Sequence, residues 1–476
     1  MTNDVDTTET ADASSSKGGA PEVSSKPSGG TAGKAASNDG GRVVPDMPPK
    51  RGLLPPVAIV TLLVALFGYM YLGYTSAPEQ HLRDFPIALV NQDLGDTLDG
   101  KPTNIGDSIT EGVVAGIPDG KIDLRLLGIN EAQQQLQSGE VYGAIIIPSD
   151  FTKRLAILGA AAIVPGDVER PIITVSVNQR AGAFAAQIVD TIAEQALTKV
   201  NATVGAQLTD LVQAKLRPAP GMPPTEISGA SRLLLDTPID VVFTDYRPLP
   251  DGAGHGLAAF FYTLVLLLAG FIGAVIIHTM TDAHFGYAPA EYGPWYLHRS
   301  PTPMSRWRIL LIKWGLAALT APLASAALLG AARVLDMPID RPLLLFLYGT
   351  LAVTAVAVTA LSVLAAFGTA GLVINMIVFV VLGLPSSSGT VPIEATPPFI
   401  ANLAAFEPMH QIYLAVRSLL YFGGHMEAGM SHGFWMTVCG LGVGVVLGAV
   451  ATHTYDLGGL YRLGVSHKPE AGAAPK

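Results

Sequence analysis

The sequence predicts a polytopic α-helical membrane protein with about six transmembrane helices, arranged as one plus five. An α/β extracytoplasmic domain is predicted between the first and second of them. Two observations support this fold class. A lone apolar stretch, Leu53–Tyr74, is separated from the later apolar stretches by a long segment of mixed polarity, Ser76–Asp251. Only 14% of the residues are charged, whereas soluble domains have roughly 25%.

Each span is identified by length and composition, because crossing the hydrocarbon takes about 20 apolar residues in a helix. The predicted spans are Leu53–Tyr74, Leu257–Thr279, Ile309–Leu335, Leu343–Phe367, Leu372–Leu384 and Gly433–Thr454. The predicted regions are a disordered cytoplasmic tail (1–50), the first span (51–75), the extracytoplasmic domain (76–252), a five-helix bundle with an external loop at 385–432 (253–456), and a second cytoplasmic tail (457–476).

The orientation follows from basic residues beside the spans, which accumulate on the cytoplasmic side. These residues are Lys50, Arg51, Arg299, Arg306, Arg308, Lys313, Arg462 and Lys468. We therefore expect a multi-pass protein of the cell (plasma) membrane with both termini in the cytoplasm. The first fifty residues are rich in Ser, Gly, Ala and Thr, which is typical of disorder. The net charge of -9 argues against nucleic acid as a partner.

The segment between the first two spans has the pattern of a sheet covered by helices. The predicted strands are Ile87–Val90, Ile122–Leu127, Tyr142–Ile147, Ile172–Val177 and Val241–Tyr246. A short helix is predicted with Asn130 as its cap and Gly139 at its end, and a long helix is predicted over Ala181–Leu216. The only cysteine, Cys439, lies in the last predicted span, so packing must stabilise this domain without disulfides.

Asn91, Asp93 and Gly95 directly follow the first predicted strand. These residues can contact a ligand, but Asn, Asp and Gly after a strand more often supply the local hydrogen bonds of a turn. We favour the turn and keep the three as candidate functional residues.

A resemblance to a known family covers nearly everything after the N-terminal tail. The residues that carry it are Ile87–Gly95, Tyr142–Phe151, Pro248–Gly252, Leu257–Phe261, Gly383–Gly389, Pro408–Met409 and Arg417–Gly423. They resemble the YhgE/Pip (phage infection protein) family and the related nitrosoguanidine-resistance family, within the ABC type 2 permease group. The resemblance implies one span, an extracytoplasmic domain and five further spans, with functions that range from export and drug resistance to phage adsorption.

Polar residues near the bundle provide further candidates. Ser386, Ser387, Ser388 and Gly389 can break a helix beside a water-filled path, although a plain exit turn is favoured. Arg417 is expected to pair with Glu394 at the surface. Asn375 is expected to bond to another helix rather than to a substrate. Gly440, Gly444 and Gly448 form a stripe that permits close helix contact, either within the chain or across a dimer.

The predicted cytoplasmic loop Met280–Arg308 combines aromatic and charged side chains. Two interpretations are equally weighted, a site for a separate ATPase subunit and an interfacial aromatic belt. No Walker motif is found, so ATP hydrolysis must come from another polypeptide. No catalytic residue, cofactor or metal site is predicted, and the chain is not expected to be an enzyme. Gly429–Gly433 has nucleophile-elbow spacing but lacks the strand before it.

These observations leave two hypotheses. The first is a permease-like subunit that works as a homodimer and exports a hydrophobic or amphipathic compound, drug or envelope lipid, with a separate ATPase as its source of energy. The second is a non-transporting envelope receptor or scaffold of the secretion or phage-adsorption type. We favour transport, because a receptor needs only one anchor and this chain has a whole bundle in the lipid bilayer.

Overall fold

The computed structural model describes residues 54–75, 78–98, 101–116, 120–163, 168–216, 228–297, 299–460 and 462. The predicted disordered tail (1–50) lies outside the described residues, as does most of the predicted C-terminal tail. The described chain contains an α/β domain and a set of long apolar helices. Both are built from elements whose limits follow the sequence pattern closely.

Five helices of the described chain are long and apolar enough to cross a membrane. They are α1 (Leu54–Thr75), α7 (Leu257–His284), α8 (Arg306–Val334), α9 (Pro342–Phe367) and α14 (Ser431–Leu457). The central one is α9, which is 56% buried over its apolar window, whereas that of α1 is 11% buried. Accordingly α9 packs against α7, α8 and α14, while α1 lies at the periphery.

The fifth predicted span, Leu372–Leu384, does not form one regular long helix. It falls in a shorter apolar segment, Ala370–Ser386, made of α10 (Ala370–Met376), a π-helical stretch (Ile377–Leu382) and α11 (Gly383–Ser386). At 1.5 Å per residue this segment is about 25 Å long, which is at the short end of the range for a helix that crosses the hydrocarbon core. The apolar composition predicted the segment but could not show its irregular backbone.

The connecting segment, residues 387–430, joins α11 to α14. It contains a 3-10 turn (Ile393–Ala395), α12 (Pro398–Ala404) and α13 (Pro408–Tyr421). Helix α1 packs on this side of the bundle, since the Tyr71 hydroxyl donates to the Val380 carbonyl (3.0 Å) and the hydroxyls of Tyr74 and Thr390 lie 3.2 Å apart. The peripheral helix is therefore tied to the irregular segment and to its continuation.

The α/β domain has a five-stranded mixed sheet in the order β4-β1-β5-β6-β7. Its strands are β1 (Phe85–Asn91), β4 (Ile122–Leu126), β5 (Gly143–Ile147), β6 (Ile172–Val177) and β7 (Asp240–Asp245), and a separate hairpin is formed by β2 (Asp96–Leu98) and β3 (Lys101–Thr103). Each of the five predicted strands is therefore present. β1 is parallel to β4 and β5, β6 is antiparallel to β5, and β7 is parallel to β6.

Helices cover both faces of this sheet. They are α2 (Ile105–Gly116), α3 (Ile129–Ser138), α4 (Phe151–Ala161), α5 (Ala183–Lys215) and α6 (Gly229–Asp236). Side chains alternate along β1, as the two-residue period of a strand requires. Ile87 and Leu89 belong to the core with α2, α4 and α5, whereas Ala88 and Val90 belong to the core with α3. The expected Asn130 cap is wrong, because Gly128 precedes α3, while Gly139 ends it with a φ of 73°.

Polar and small residues hold the long helices together. Asn375 is 1% exposed and its amide donates to the Ala360 carbonyl of α9 (3.0 Å). A Cβ on Gly444 would lie 2.4 Å from the Thr359 hydroxyl, and one on Gly448 would lie 2.6 Å from the Ser362 hydroxyl. These two glycines therefore serve packing of α14 on α9 within the chain. Gly440 has open space beside it.

Gly444→Leu should separate α14 from α9, because the new side chain has no room beside Thr359. We expect a loss of about 1–3 kcal/mol of stability, the usual effect of overpacking, visible as a lower thermal unfolding midpoint in detergent. Gly442→Leu on the same helix is the matched control, since nothing lies within 4 Å of its Cβ position. Equal losses in both variants would contradict this packing.

Candidate functional sites

The turn after β1 contains the candidates Asn91, Asp93 and Gly95. Asp93 is 8% exposed. Its carboxylate accepts hydrogen bonds from the backbone N–H groups of Gly95 (3.3 Å), Gly106 (3.0 Å) and Thr152 (3.1 Å), and from the Thr152 hydroxyl. Gly106 and Thr152 lie in the first turns of α2 and α4. One carboxylate therefore satisfies backbone donors at two helix N-termini, where negative charge is favourable.

The remaining polar groups of this turn also have partners inside the protein. The Asn91 amide oxygen accepts the Asp93 N–H (3.0 Å), and its amide nitrogen donates to Asp107 (2.7 Å). Gly95 has a φ of 70°, and a Cβ there would lie 2.8 Å from the Thr103 carbonyl oxygen. These contacts fit the turn interpretation of the three residues, with the carboxylate occupied by the backbone.

The candidate Ser386–Gly389 motif is packed within the protein. The Ser386 hydroxyl donates to the Leu382 carbonyl (2.6 Å), and the Ser387 hydroxyl donates to the Leu384 carbonyl (2.7 Å). The Gly389 N–H donates to the Ser387 hydroxyl oxygen (3.2 Å), and Ser388 has a φ of 63°. Phe260 of α7 fills the space where a Cβ on Gly389 would lie. The motif thus ends α11 with its own hydrogen bonds.

A buried carboxyl group beside this motif was missed by the sequence analysis. Glu407 is 3% exposed, and its Oε2 accepts the His410 N–H at the start of α13 (2.9 Å). Its Oε1 has no hydrogen-bond partner among the described residues, because the nearby Ser386 hydroxyl donates to Leu382 instead. Burial raises the pKa of Glu407 to about 7. An acidic residue directly before Pro408 was the available signal, since it marks a helix start.

Two arginines join the α/β domain to the connecting segment. Arg417 of α13 donates from Nη1 to the Ala181 carbonyl (2.9 Å), and Arg180 donates from Nη1 to the Tyr421 carbonyl (2.6 Å). We call this reciprocal pair the arginine junction. Arg417 is 7% exposed, and its guanidinium lies 5.7 Å and 5.6 Å from the ring centroids of Tyr413 and Phe422.

The expected surface pair between Arg417 and Glu394 is therefore wrong. Arg417 is buried against carbonyl and aromatic groups, whereas Glu394 accepts a hydrogen bond from the Tyr142 hydroxyl (2.9 Å). The Glu394 carbonyl also accepts the Arg83 N–H (2.9 Å). Both residues contact the α/β domain, but at different points. The sequence placed both residues in one segment correctly. It could not show that the partners of both belong to the α/β domain.

A charged cluster joins the C-terminal end of α7 to the N-terminal part of α8. Lys313 was assigned to a loop flank, yet it lies inside α8 and is 3% exposed. Its ammonium group donates to Asp282 (2.6 Å) and lies 3.1 Å from His278 Nδ1. Asp282 also contacts His278 (3.2 Å) and Arg462 (2.7 Å). We call these four residues the charged cluster. The His278 and Asp282 spacing of one helical turn, with a lone lysine in the next apolar helix, was the signal.

The end of α14 meets the start of α8 beside this cluster. Asp456 accepts hydrogen bonds from the backbone N–H groups of Arg306 (2.9 Å) and Trp307 (3.1 Å). Arg306 in turn donates to the Leu460 carbonyl (2.6 Å) and lies over the Tyr455 ring. The carboxylate satisfies two of the backbone donors that a helix N-terminus leaves free. Together with the charged cluster, these contacts fix α7, α8 and α14 to one another.

The predicted partner loop, Met280–Arg308, contains a β-hairpin. Its strands are β8 (Ala290–Tyr292) and β9 (Trp295–Leu297). Tyr292, Trp295 and Tyr296 are 64%, 71% and 64% exposed. The base of the hairpin is closed by the Thr302 N–H donating to the Phe285 carbonyl (3.0 Å). Tyr287 at this base lies beneath the guanidinium of Arg462, a member of the charged cluster.

Glu407→Gln should remove a pH dependence of stability. The folded state raises the pKa of this carboxyl from its ordinary 4.5 to about 7, so the folded protein holds a proton that the unfolded chain releases between these values. The contribution of this carboxyl to stability is therefore greatest below pH 4.5 and is lost as the pH rises to 7, by up to about 3 kcal/mol. Thermal unfolding midpoints of the unmodified protein should accordingly fall relative to those of Glu407→Gln as the pH rises from 5 to 8.

The exposed Glu427 of the same segment provides the control for that experiment. Glu427→Gln should keep the pH dependence of the unmodified protein, because this side chain is exposed and lies outside the buried site of Glu407. A slope that survives Glu407→Gln would show that another group titrates in this range.

Comparison with known proteins gives one match. The family model described as "ABC-2 family transporter protein" matches residues 56–451, which include the α/β domain, the connecting segment and nearly all of the long helices. Neither the curated proteins nor the solved structures contain a match. The family match agrees with the broader permease group that the sequence motifs indicated, and with a multi-pass membrane protein. This chain belongs to the ABC-2 family of transporter proteins, as a membrane component of a transport system.

Proposed function

We propose that this chain is the membrane-spanning permease subunit of an exporter for a hydrophobic or amphipathic compound, and that a separate ATPase energises it. In this exporter both termini and the Met280–Arg308 loop lie in the cytoplasm and the α/β domain lies outside, with the shorter Ala370–Ser386 segment as the sixth crossing beside the five long helices. We also propose that the chain forms a homodimer and that it is related to the YhgE/Pip family. The observation that carries it is an exposed aromatic hairpin whose base adjoins the buried charged cluster, which joins α7, α8 and the segment after α14.

The hairpin has the character of a docking surface. Aromatic residues are enriched at the buried centres of protein interfaces, and here three of them lie on one short hairpin with most of their surface exposed. An isolated two-stranded hairpin is only marginally stable. The contacts at its base therefore determine its orientation, and they link it to the helices.

The charged cluster is suited to transmitting a movement of the hairpin. Removing charges from water costs several kcal/mol for each ion, and this is offset only by close pairing. Asp282 contacts Lys313, His278 and Arg462 within 3.2 Å. Pulling one member away would leave the others unpaired in a buried site. We therefore expect α7, α8 and the segment just after α14 to move together. Closure of a bound ATPase would then reach the bundle as a rigid displacement.

The arginine junction extends this displacement to the α/β domain. Its members lie on α13 and in the turn between β6 and α5, and α13 packs directly on α14. A Cβ on Gly433 of α14 would lie 2.4 Å from the Gln411 carbonyl oxygen of α13, so the two helices are in close backbone contact. In the proposed exporter, bundle and domain therefore change position as one coupled system.

The proposed orientation can be tested by cysteine labelling, since Cys439 is the only cysteine and Cys439→Ser gives a cysteine-free background. Lys153→Cys places a thiol on an exposed position of α4, and Glu291→Cys places one on the hairpin. With a membrane-impermeant maleimide, intact cells should label the first variant only. Permeabilised cells should label both. Labelling of the hairpin in intact cells would refute the proposed orientation and with it the ATPase site.

The ATPase site can be tested by photo-crosslinking in the native host. A benzophenone amino acid at Trp295 should crosslink to a polypeptide that contains a Walker A motif, identified by mass spectrometry. The same group at Trp435, which is 64% exposed on α14, is the matched control and should not capture that polypeptide. If position 295 yields only lipid adducts, the hairpin is an interfacial belt, and the receptor or scaffold hypothesis is favoured.

A further inference from the structure

The α/β domain contains a groove that the transport proposal does not use. It lies between α2 and α5, has a volume of about 480 Å³, and is called the α2–α5 groove here. Ligand pockets typically have volumes of roughly 300–1,000 Å³. The groove is therefore large enough for a small molecule or a single chain, although it belongs to neither the arginine junction nor the charged cluster.

An apolar stripe runs along the groove. It consists of Ile109, Val113, Ile188, Ile192, Val200 and Val204, and on α5 these residues recur at four-residue spacing. Polar side chains, among them Thr191 and Gln195, complete the lining. The border carries the exposed Lys121, Lys199 and Glu79, so two cations face one anion and the net charge is positive. An apolar stripe beside a positive border matches an amphiphile with an anionic head.

The groove is long and narrow. Its lining on α5 extends from Ile188 to Gln207, about 28 Å at the helical rise of 1.5 Å per residue. Its volume of about 480 Å³ is distributed over that length, a shape that suits a single extended chain. An extended peptide would need a free strand edge for its backbone, whereas helices satisfy their own backbone groups. One lipid leaflet is ~15 Å deep in hydrocarbon, so an acyl chain fits.

The groove also begins where the chain leaves a membrane span. Helix α1 ends at Thr75, and Glu79 and Gln80, which follow it almost directly, line the groove together with Leu82. A lipid beside α1 is therefore close to the groove entrance. We propose that the α2–α5 groove binds one acyl chain of an anionic membrane lipid, with Lys121 and Lys199 beside its head group. The proposal deepens the proposed export function by naming a substrate class, and binding itself can be measured without transport.

The test uses the full-length protein in nanodiscs that contain phosphatidylglycerol with a diazirine in one acyl chain. After irradiation, mass spectrometry should find adducts on the α2 and α5 peptides that line the groove. Val113→Trp and Ile192→Trp should each reduce these adducts about tenfold or more, because loss of two buried methylenes already has that effect. Val114→Trp is the matched control, since Val114 is 48% exposed on the same helix and does not line the groove.

Two further measurements complete the experiment. Lys121→Gln and Lys199→Gln should each reduce groove adducts by about fivefold, the effect of roughly 1 kcal/mol per cation near an anionic lipid, and diazirine phosphatidylcholine should label the groove less than phosphatidylglycerol. Val113→Ser and Ile192→Ser repeat the test without added bulk, and thermal unfolding confirms that each variant is folded.

Three outcomes would overturn the lipid proposal. The adducts could be confined to the long helices, be unchanged in both tryptophan variants, or be equal for the two head groups. Each outcome leaves the proposed export function intact if the hairpin still crosslinks to an ATPase. Conversely, groove adducts without that crosslink would support the lipid site and contradict the proposed exporter with an ATPase bound at the hairpin.

Discussion

The arginine junction is the constraint on which the relation between domain and bundle depends. A guanidinium cannot be deprotonated in a protein, so Arg417, at 7% exposure, must keep its partners. The Ala181 carbonyl supplies one of them and the faces of Tyr413 and Phe422 supply others. Arg180 repeats the arrangement in the opposite direction through the Tyr421 carbonyl. Because both acceptors are backbone carbonyl groups, the junction fixes the backbone of the two segments and not only their side chains.

Helices α13 and α14 carry this constraint across the molecule. Glu407 bonds to the first turn of α13, Arg417 lies near its other end, and α14 ends near Asp456, which bonds to the first turn of α8. The links through Arg417 and Asp456 pair a charged group with backbone acceptors or donors, and such hydrogen bonds are roughly twice as strong as neutral ones. A continuous set of contacts therefore joins the α/β domain to the charged cluster.

The sequence predicted those features that depend on neighbouring residues. The five strands follow from short apolar runs and the five long spans from length, since both signals are local. The irregular backbone of Ala370–Ser386 was not predicted, because composition does not distinguish a π-helical stretch from a regular helix. Glu407, Arg417 and Lys313 were missed or misassigned in role for another reason. Arg417 and its partner Ala181 are 236 positions apart, and no local pattern specifies which carbonyl a distant chain will present.

The position of the α2–α5 groove is explained by the cost of moving an acyl chain. Each methylene transferred from hydrocarbon to water costs about 0.8 kcal/mol, so a chain of some sixteen carbons that crosses open water meets a barrier on the order of 10 kcal/mol. Transfer from bilayer to an apolar groove has almost no such cost, provided that the two are adjacent. Leu82 in the groove follows Thr75 at the end of α1 by only seven positions in the sequence, which satisfies that condition.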